Sequence, residues 1–567
     1  MRKTHLKELV LLLSIFFSGQ LMAEQVPDSG RLLREQPKAP TLTPSTPQEL
    51  LPRASDGQII QDIGPKFLVK GFRIEGATLI SEEELQQQLE DSVGQELGFY
   101  QLQRLASRLT SYYSDKGYLA RIILPPQDVE NGIVIFKVIE GQRGNLRIEN
   151  KGVRLDAERV GAFIDYRIAR GDKFDFSALS SALNVLNEQP GIEVKSRIVS
   201  GEAESDVDVL VSAEDTPLTR YLLSTSNHGS RGTGEPQITG SVVFNNPFGL
   251  FDAASVLLNV AEGSRFLRGE YSMAIGNSGL RASVNASGLD YDIIQSSLKS
   301  LDARGNAITA GAGLSYPLIR RTNLSLNLSG NYDHKILRDY ALGIEIGDRD
   351  IDAFNIGLVG SRIDGFMGYG QTGFAISLGA GDVNLSNTAA KAADSISRRT
   401  EGQYTKLSYY FSRNQLLSNR WSLAANLSGQ FAGDNLDSTE RFALGGPNGV
   451  RAYPVGEATG DEGWLASLNL TYTISENLNA VAFVDGGGIR LNKNTWANWN
   501  AGNPRLDNTY SLAGGGFALN WILAEKFALN AIIATPFGNN PGRDSNGDDS
   551  DSRSLGVRGW VSLTTTF

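Results

Sequence analysis

A chain of 567 residues with 62 glycines, no cysteine and a formal net charge of -10, at a mean hydropathy of -0.20, is too polar for a bundle of membrane-spanning helices. Beyond residue 23 no run reaches the roughly 20 consecutive apolar residues that a spanning helix needs. Disulfides and thiolate metal sites are excluded, and the acidic balance argues for no nucleic acid among the partners.

Arg2, Lys3 and Lys7 precede an apolar core from Leu9 to Phe17 that closes on Leu21-Met22-Ala23. A basic start, a short apolar core and a small residue make residues 1–23 a secretory signal peptide. The chain is expected outside the cytoplasm, without ATP, and it has no Gly-x-x-x-x-Gly-Lys-Ser/Thr run to bind one. Residues 24–65 carry Pro27, Pro37, Pro40, Pro44, Pro47 and Pro52 among polar neighbours, the composition of an extended linker. Within it, Arg31 to Gln36 has the pattern of a short amphipathic helix.

Two similar units follow. In the first, 66–141, a strand from Phe67 to Ile74 leads to Ser81-x-x-Glu84, a capping box ahead of Leu85, Leu89 and Val93. A second helix carries Leu102, Leu105, Leu109 and Tyr112 and stops at Lys116-Gly117. Strands from Leu119 to Leu124 and Ile133 to Ile139 complete it. The second unit, 142–215, repeats the order: a strand over Asn145 to Asn150, helices over Asp156 to Ala169 and Phe176 to Leu186, and strands over Ile192 to Val199 and Val207 to Val211.

From 216 to 567 the sequence alternates with a period of two between turns of two kinds. Short polar turns, such as Gly276-Asn277-Ser278-Gly279 and Arg320-Arg321-Thr322-Asn323, alternate with long segments near 338–351, 384–402, 433–463, 492–508 and 538–554. Short turns on one side and long loops on the other, joining strands with one apolar and one polar face, predict an antiparallel membrane barrel. Its remaining length fits about sixteen strands, each spanning with roughly 9 to 11 tilted residues.

The segment 433–463 holds Gly445-Gly446-Pro447-Asn448-Gly449-Val450-Arg451-Ala452-Tyr453-Pro454 between two such strands. On the external side, joining the eleventh and twelfth strands, it has to fold inward for Arg451 to meet a counter-charge. If Ala480, Ala482 and Val484 face lipid, Phe483, Asp485 and Gly487 face the lumen. Asp485 then needs a cation, and Arg451 is the candidate.

The run Val450-Arg451-Ala452-Tyr453 resembles the Val-Arg-Gly-Phe/Tyr tip of the inward-folded sixth loop in the outer-membrane insertase and two-partner secretion superfamily. Phe483-x-Asp485-x-Gly487 resembles the barrel-wall motif that holds this tip, and Ala452 stands where the pattern usually has glycine. The doubled β-α-α-β-β unit resembles two polypeptide-transport-associated (POTRA) domains. The terminal alternation ending on Phe567 resembles the signal recognised by the barrel assembly machinery. Two such units suit the two-partner secretion transporters, the hemolysin secretion/activation proteins of TpsB type, better than the insertases. This resemblance implies an outer-membrane β-barrel of about 16 strands with periplasmic POTRA domains, a plug helix near the amino terminus, and a secreted β-helical exoprotein (TpsA type) as cargo. Its other partners would be outer membrane lipids, and it implies no cofactors and no bond chemistry. The alternative in the same superfamily is an insertase that assembles other barrels.

Two further clusters carry less. Asp333-His334 are neighbours on a strand and so face opposite sides, which argues against a catalytic pair. Asp544 to Asp551 has oxygen ligands without the spaced glutamate of a calcium loop, and reads as an acidic, solvated external segment.

Overall fold

The computed structural model describes residues 26–37, 66–501, 503–524 and 526–567. The expected signal peptide, 1–23, and most of the proline-rich linker lie outside the described residues. In the first periplasmic unit, Gly71–Glu75 pairs in parallel with Ile133–Glu140, which pairs antiparallel with Ala120–Ile123. Helices Glu82–Gln87 and Phe99–Asp115 pack on one face; the Ser81 side chain accepts from the Glu84 amide, which is half of the expected capping box, while the Glu84 carboxylate accepts from Tyr112 and Lys116 instead. Leu85, Leu102, Leu109, Tyr113 and Phe136 fill the core between sheet and helices. The second unit repeats this topology: Gln142–Asn150 is parallel to the central Asp206–Asp215, with Ile192–Ser200 antiparallel on its other side, under helices Ala157–Asp165 and Phe176–Asn187.

Backbone hydrogen bonds run directly between the units. Leu119 N–H donates to the Phe174 carbonyl (3.3 Å), Phe174 N–H to Gly141 (2.8 Å) and Phe176 N–H to Gly117 (2.9 Å). Buried Glu140 sits at the same junction. Its carboxylate accepts from the Thr78 amide (2.6 Å), the Leu79 amide (2.7 Å) and the Thr78 hydroxyl, and pairs with Lys173 of the second unit at 3.0 Å. Burial alone would raise its pKa, but these donors outweigh it and hold the carboxyl at about 2.

The second unit is fastened to the barrel in turn. Phe251, in a periplasmic turn, meets Phe163 edge-on at 5.4 Å and joins the unit's apolar core. Arg154 donates to the Asn245 (2.9 Å) and Thr216 (2.6 Å) carbonyls, and Arg320 pairs with Glu188 at 2.6 Å.

Sixteen antiparallel strands form the closed barrel, from Thr219–Ser226 to Arg558–Thr566, with the last strand paired back to the first. No helix among the described residues is long and apolar enough to cross a membrane; strands do the crossing. Closure satisfies the backbone groups that lipid cannot. The expected long loop at 338–351 is not a loop. The seventh strand, Leu324–Ala341, and the eighth, Ile344–Asp364, run on through it and turn at Leu342-Gly343. The charges that suggested a loop are divided by strand alternation: Asp339 and Arg349 point into the lumen and are buried, while Arg338 and Asp348 pair on the outside at 3.5 Å.

Candidate functional site: the occupied lumen

Between the eleventh strand, Trp421–Ala432, and the twelfth, Glu462–Ser475, the chain folds back into the barrel. A two-residue ladder of Phe442–Ala443 with Thr459–Gly460 closes the base of this excursion. Its tip is a tight turn in which Val450 N–H donates to the Leu444 carbonyl at 2.7 Å. Gly449 is required here because a Cβ would run into that carbonyl, and Gly446 has φ +115°.

The tip carries Arg451 to the wall. Its Nε lies 2.8 Å from Asp485 Oδ2 and its Nη2 2.7 Å from Oδ1, a bidentate fork, and the Arg451 amide also donates to Oδ2 at 3.1 Å. Nη2 reaches Asn469 Oδ1 at 2.8 Å, and the guanidinium lies 3.4 Å from the centre of the Phe483 ring. Strand register explains the convergence, since Asn469 is directly opposite Phe483 and Ser467 opposite Asp485. The Asp485 side chain is fully shielded from solvent and that of Arg451 is 12% exposed.

Val450, Ala452 and Tyr453 are buried around the pair. Ala452 has no positive φ, so its side chain creates no backbone strain. Its Cβ fits because the facing residue is Gly514, where an added Cβ would lie 2.5 Å from it. Gly487 similarly leaves room for Leu444, whose Cδ2 would be 2.6 Å from a Cβ there. Trp560, on the last strand, donates its indole N–H to the Arg451 carbonyl at 2.8 Å. The tip therefore touches the twelfth, thirteenth, fourteenth and sixteenth strands. Strand alternation puts Trp560 on the lumen face beside Arg558, but nothing local marks its partner, which lies 109 residues away.

The short helix Ser29–Glu35 shares the lumen with this loop. Asp28 caps it, accepting from the Arg31 amide at 2.8 Å. The amide and hydroxyl of Ser29 donate to Asp339 (2.8 and 3.0 Å), and Leu32 packs among lumen-facing residues such as Leu257 and Leu337. Arg34 donates to the Ser438 (2.8 Å) and Arg441 (3.1 Å) carbonyls, and Arg31 to Val455 (3.2 Å), all on the inward loop.

Arg349 joins the three parts. It lies 3.0 Å from Asp28 on the helix, 2.9 Å from Asp339 on the wall and 2.9 Å from Asp437 on the loop. Further ion pairs fix the loop: Glu440 with Lys335 and Lys406, and Arg441 with Asp461 at 2.9 Å. Sequence reasoning missed these residues. A signal existed, since Lys335, Arg349 and Lys406 fall on the lumen face by strand alternation and so require partners inside.

The remaining expectations fare differently. His334 Nδ1 lies 2.9 Å from Asp352 on the outer face, apart from Asp333. The acidic segment near 544–551 is solvated only in part: Ser545 and Asn546 are exposed, but Asp549 and Asp551 are buried against Arg543 and Arg558. Among the described residues no group of acidic or histidine side chains is placed to hold a metal. Phe567 exchanges backbone hydrogen bonds with Tyr221 (2.8 and 3.1 Å) and stacks on its ring at 5.6 Å, closing the barrel at its periplasmic end.

A closed sixteen-stranded barrel carrying α+β units on one side, with its own loop and helix in the lumen, defines an outer-membrane β-barrel protein with periplasmic domains. The family model for the haemolysin secretion/activation proteins ShlB/FhaC/HecB matches residues 204–514, more than half of the chain, and the ShlB-type POTRA domain model matches 67–141. The chain belongs to this family of two-partner secretion transporters, in the outer membrane with its POTRA region in the periplasm. It is 25% identical over 568 residues to the heme/hemopexin transporter protein HuxB of Haemophilus influenzae, covering 98% of this chain and 97% of the relative. It is 24% identical to the outer membrane transporter CdiB of Escherichia coli over 83% of this chain and 79% of that one. The solved CdiB from Escherichia coli superposes with a TM-score of 0.70 at 20% identity, covering 95% and 96% of the two chains. BamA from Haemophilus ducreyi lacking POTRA domains 1–3 shares the fold at a TM-score of 0.51 and 17% identity, over 88% of this chain and 100% of that truncated one.

Proposed function

We propose that the barrel is a dedicated exit for one large secreted exoprotein, received unfolded in the periplasm and passed through the lumen to the cell surface or medium. The observation that carries this reading is the kind of obstruction in the lumen. Helix 29–35 and loop 433–461 fill it through side-chain pairs and short hydrogen bonds, and neither belongs to the barrel ladder. Such a pore can open without dismantling its wall.

The cargo's first contact would be an open sheet edge. Ile192–Ser200 is an edge strand with Lys195 and Arg197 exposed, suited to an extended segment that adds as a further strand. Folding outside then biases the movement, since no nucleotide is at hand. The relative named hemolysin transporter supports a cargo of the hemolysin type, whereas the relative named heme/hemopexin transporter points to a different cargo.

Arg451 and Asp485 act in this reading as the anchor that holds the tip against the wall, with Val450, Ala452, Tyr453, Phe483 and Gly487 shaping its seat. The helix acts as the plug. A photo-crosslinking side chain at position 195 tests the route: it should trap one secreted protein in transit, and a crosslink pattern spread over many nascent barrel proteins would favour the insertase reading that the BamA-like fold also allows.

A further inference from the structure

The eighth external segment, 537–557, joins the fifteenth strand, Phe527–Pro536, to the sixteenth. It is folded onto its neighbours instead of into solvent. Arg231 of the first external segment donates to the Asp551 carbonyl at 2.5 Å, and Arg553 pairs with Glu235 at 2.9 Å. One more contact joins it to the inward loop, and this contact has an unusual chemistry.

Glu457 belongs to the base of the tip hairpin, where its carbonyl accepts from the Gly445 amide at 3.0 Å. Its side chain points the other way. Oε1 accepts from Asn540 Nδ2 at 2.8 Å and Oε2 from the Ser550 amide at 2.7 Å, and the residue is 2% exposed. None of the ion pairs among the described residues includes it. A buried carboxylate without a cation is costly unless specific donors compensate it, and both of these donors come from the eighth segment. Asn540 is itself buried and also donates to Asp549 at 3.0 Å, so the donor is held in place by a second acceptor.

We infer that segment 537–557 is a third obstruction, closing the external mouth over the inward loop, and that Glu457 is the positioning residue through which it holds the tip hairpin in the lumen. Arg451 fixes the far end of the hairpin and Glu457 its base. Opening the pore outward then requires the Glu457 joint to part, whatever the helix does.

The inference rests on the lumen being a closed export pore, but its test needs no cargo. Because the chain has no cysteine, Ala458→Cys, at a position 6% exposed beside the joint, serves as a reporter in purified full-length protein with heat-modifiable migration as the check on folding. Labelling by a membrane-impermeant maleimide should rise roughly tenfold or more when Glu457→Gln or Asn540→Ala is added, the factor for loss of one hydrogen bond to a charged acceptor. Single-channel conductance in planar bilayers should show more frequent openings. A folded Asn540→Ala protein with unchanged labelling and unchanged openings overturns the inference. Faster labelling and more frequent openings in a protein whose gene can be deleted without loss of any secreted protein would support the closure and count against the export reading.

Discussion

Replacing Arg451 by alanine tests the anchor most sharply, because the partner it leaves behind is fully enclosed. Asp485 would keep the amide of residue 451 at 3.1 Å and lose two shorter charge-assisted contacts of 2.8 and 2.7 Å. Removing one member of a buried pair costs about 3 to 5 kcal/mol, because the other is left charged and uncompensated. At about 1.4 kcal/mol per decade, the seated tip becomes roughly two to nearly four orders of magnitude less favoured. The barrel ladder does not pass through Arg451, so the protein should still insert and keep its heat-modifiable migration. Export should fall, and external protease should reach the 433–461 loop. Arg451→Lys should be intermediate, since an ammonium cannot make the fork to Asp485 and also reach Asn469. Unimpaired export by a folded Arg451→Ala protein, with the loop still protected, would refute the anchoring argument.

Three further outcomes follow from other contacts. Gly514→Ala should displace the tip because the new Cβ would lie 2.5 Å from that of Ala452 and 2.9 Å from the Thr535 carbonyl oxygen; export should drop and be restored in part by adding Ala452→Gly, which relieves the first contact only, and no rescue at all would locate the defect in the strand wall. Arg349→Ala leaves Asp28, Asp339 and Asp437 without their shared cation, so the helix should leave the lumen more often, raising conductance in planar bilayers; an unchanged conductance would contradict this. At the POTRA junction the folded pKa of Glu140 lies below its ordinary value of 4.5. Its contribution to stability is therefore complete above about pH 4.5 and is lost as pH falls toward 2. Hydrogen exchange at Thr78 and Leu79 should accelerate over that window, and Glu140→Gln should abolish the pH dependence.

How far the sequence reveals this arrangement depends on where each interaction is encoded. The barrel and the paired units are written locally, as alternation, caps and turn residues, so Ser81, Gly117 and the apolar faces of the strands announce their elements. Arg451 and Asp485 were legible because a carboxylate at a lumen position demands a cation and the glycine-rich run offers one. Misreadings arose where charge density stood in for solvent. Segment 338–351 looked like a loop, although strand alternation sends Asp339 and Arg349 inward to a network and Arg338 and Asp348 outward. Asp549 and Asp551 looked solvated for the same reason, and their arginine partners bury them. Asn540 and Asp437 meet their partners through the tertiary fold alone, with no periodicity or motif to mark them, and alternation marks Trp560 only as lumen-facing, without its partner.

The account's central claim is dedicated export, and quantitative proteomics of medium and outer membrane after deletion of the gene tests it most directly. The account predicts loss of one large exoprotein from the medium with the other barrels unchanged, restored by the wild-type gene but not by Arg451→Ala. Depletion of many outer-membrane barrels, with no single secreted protein lost, would contradict it.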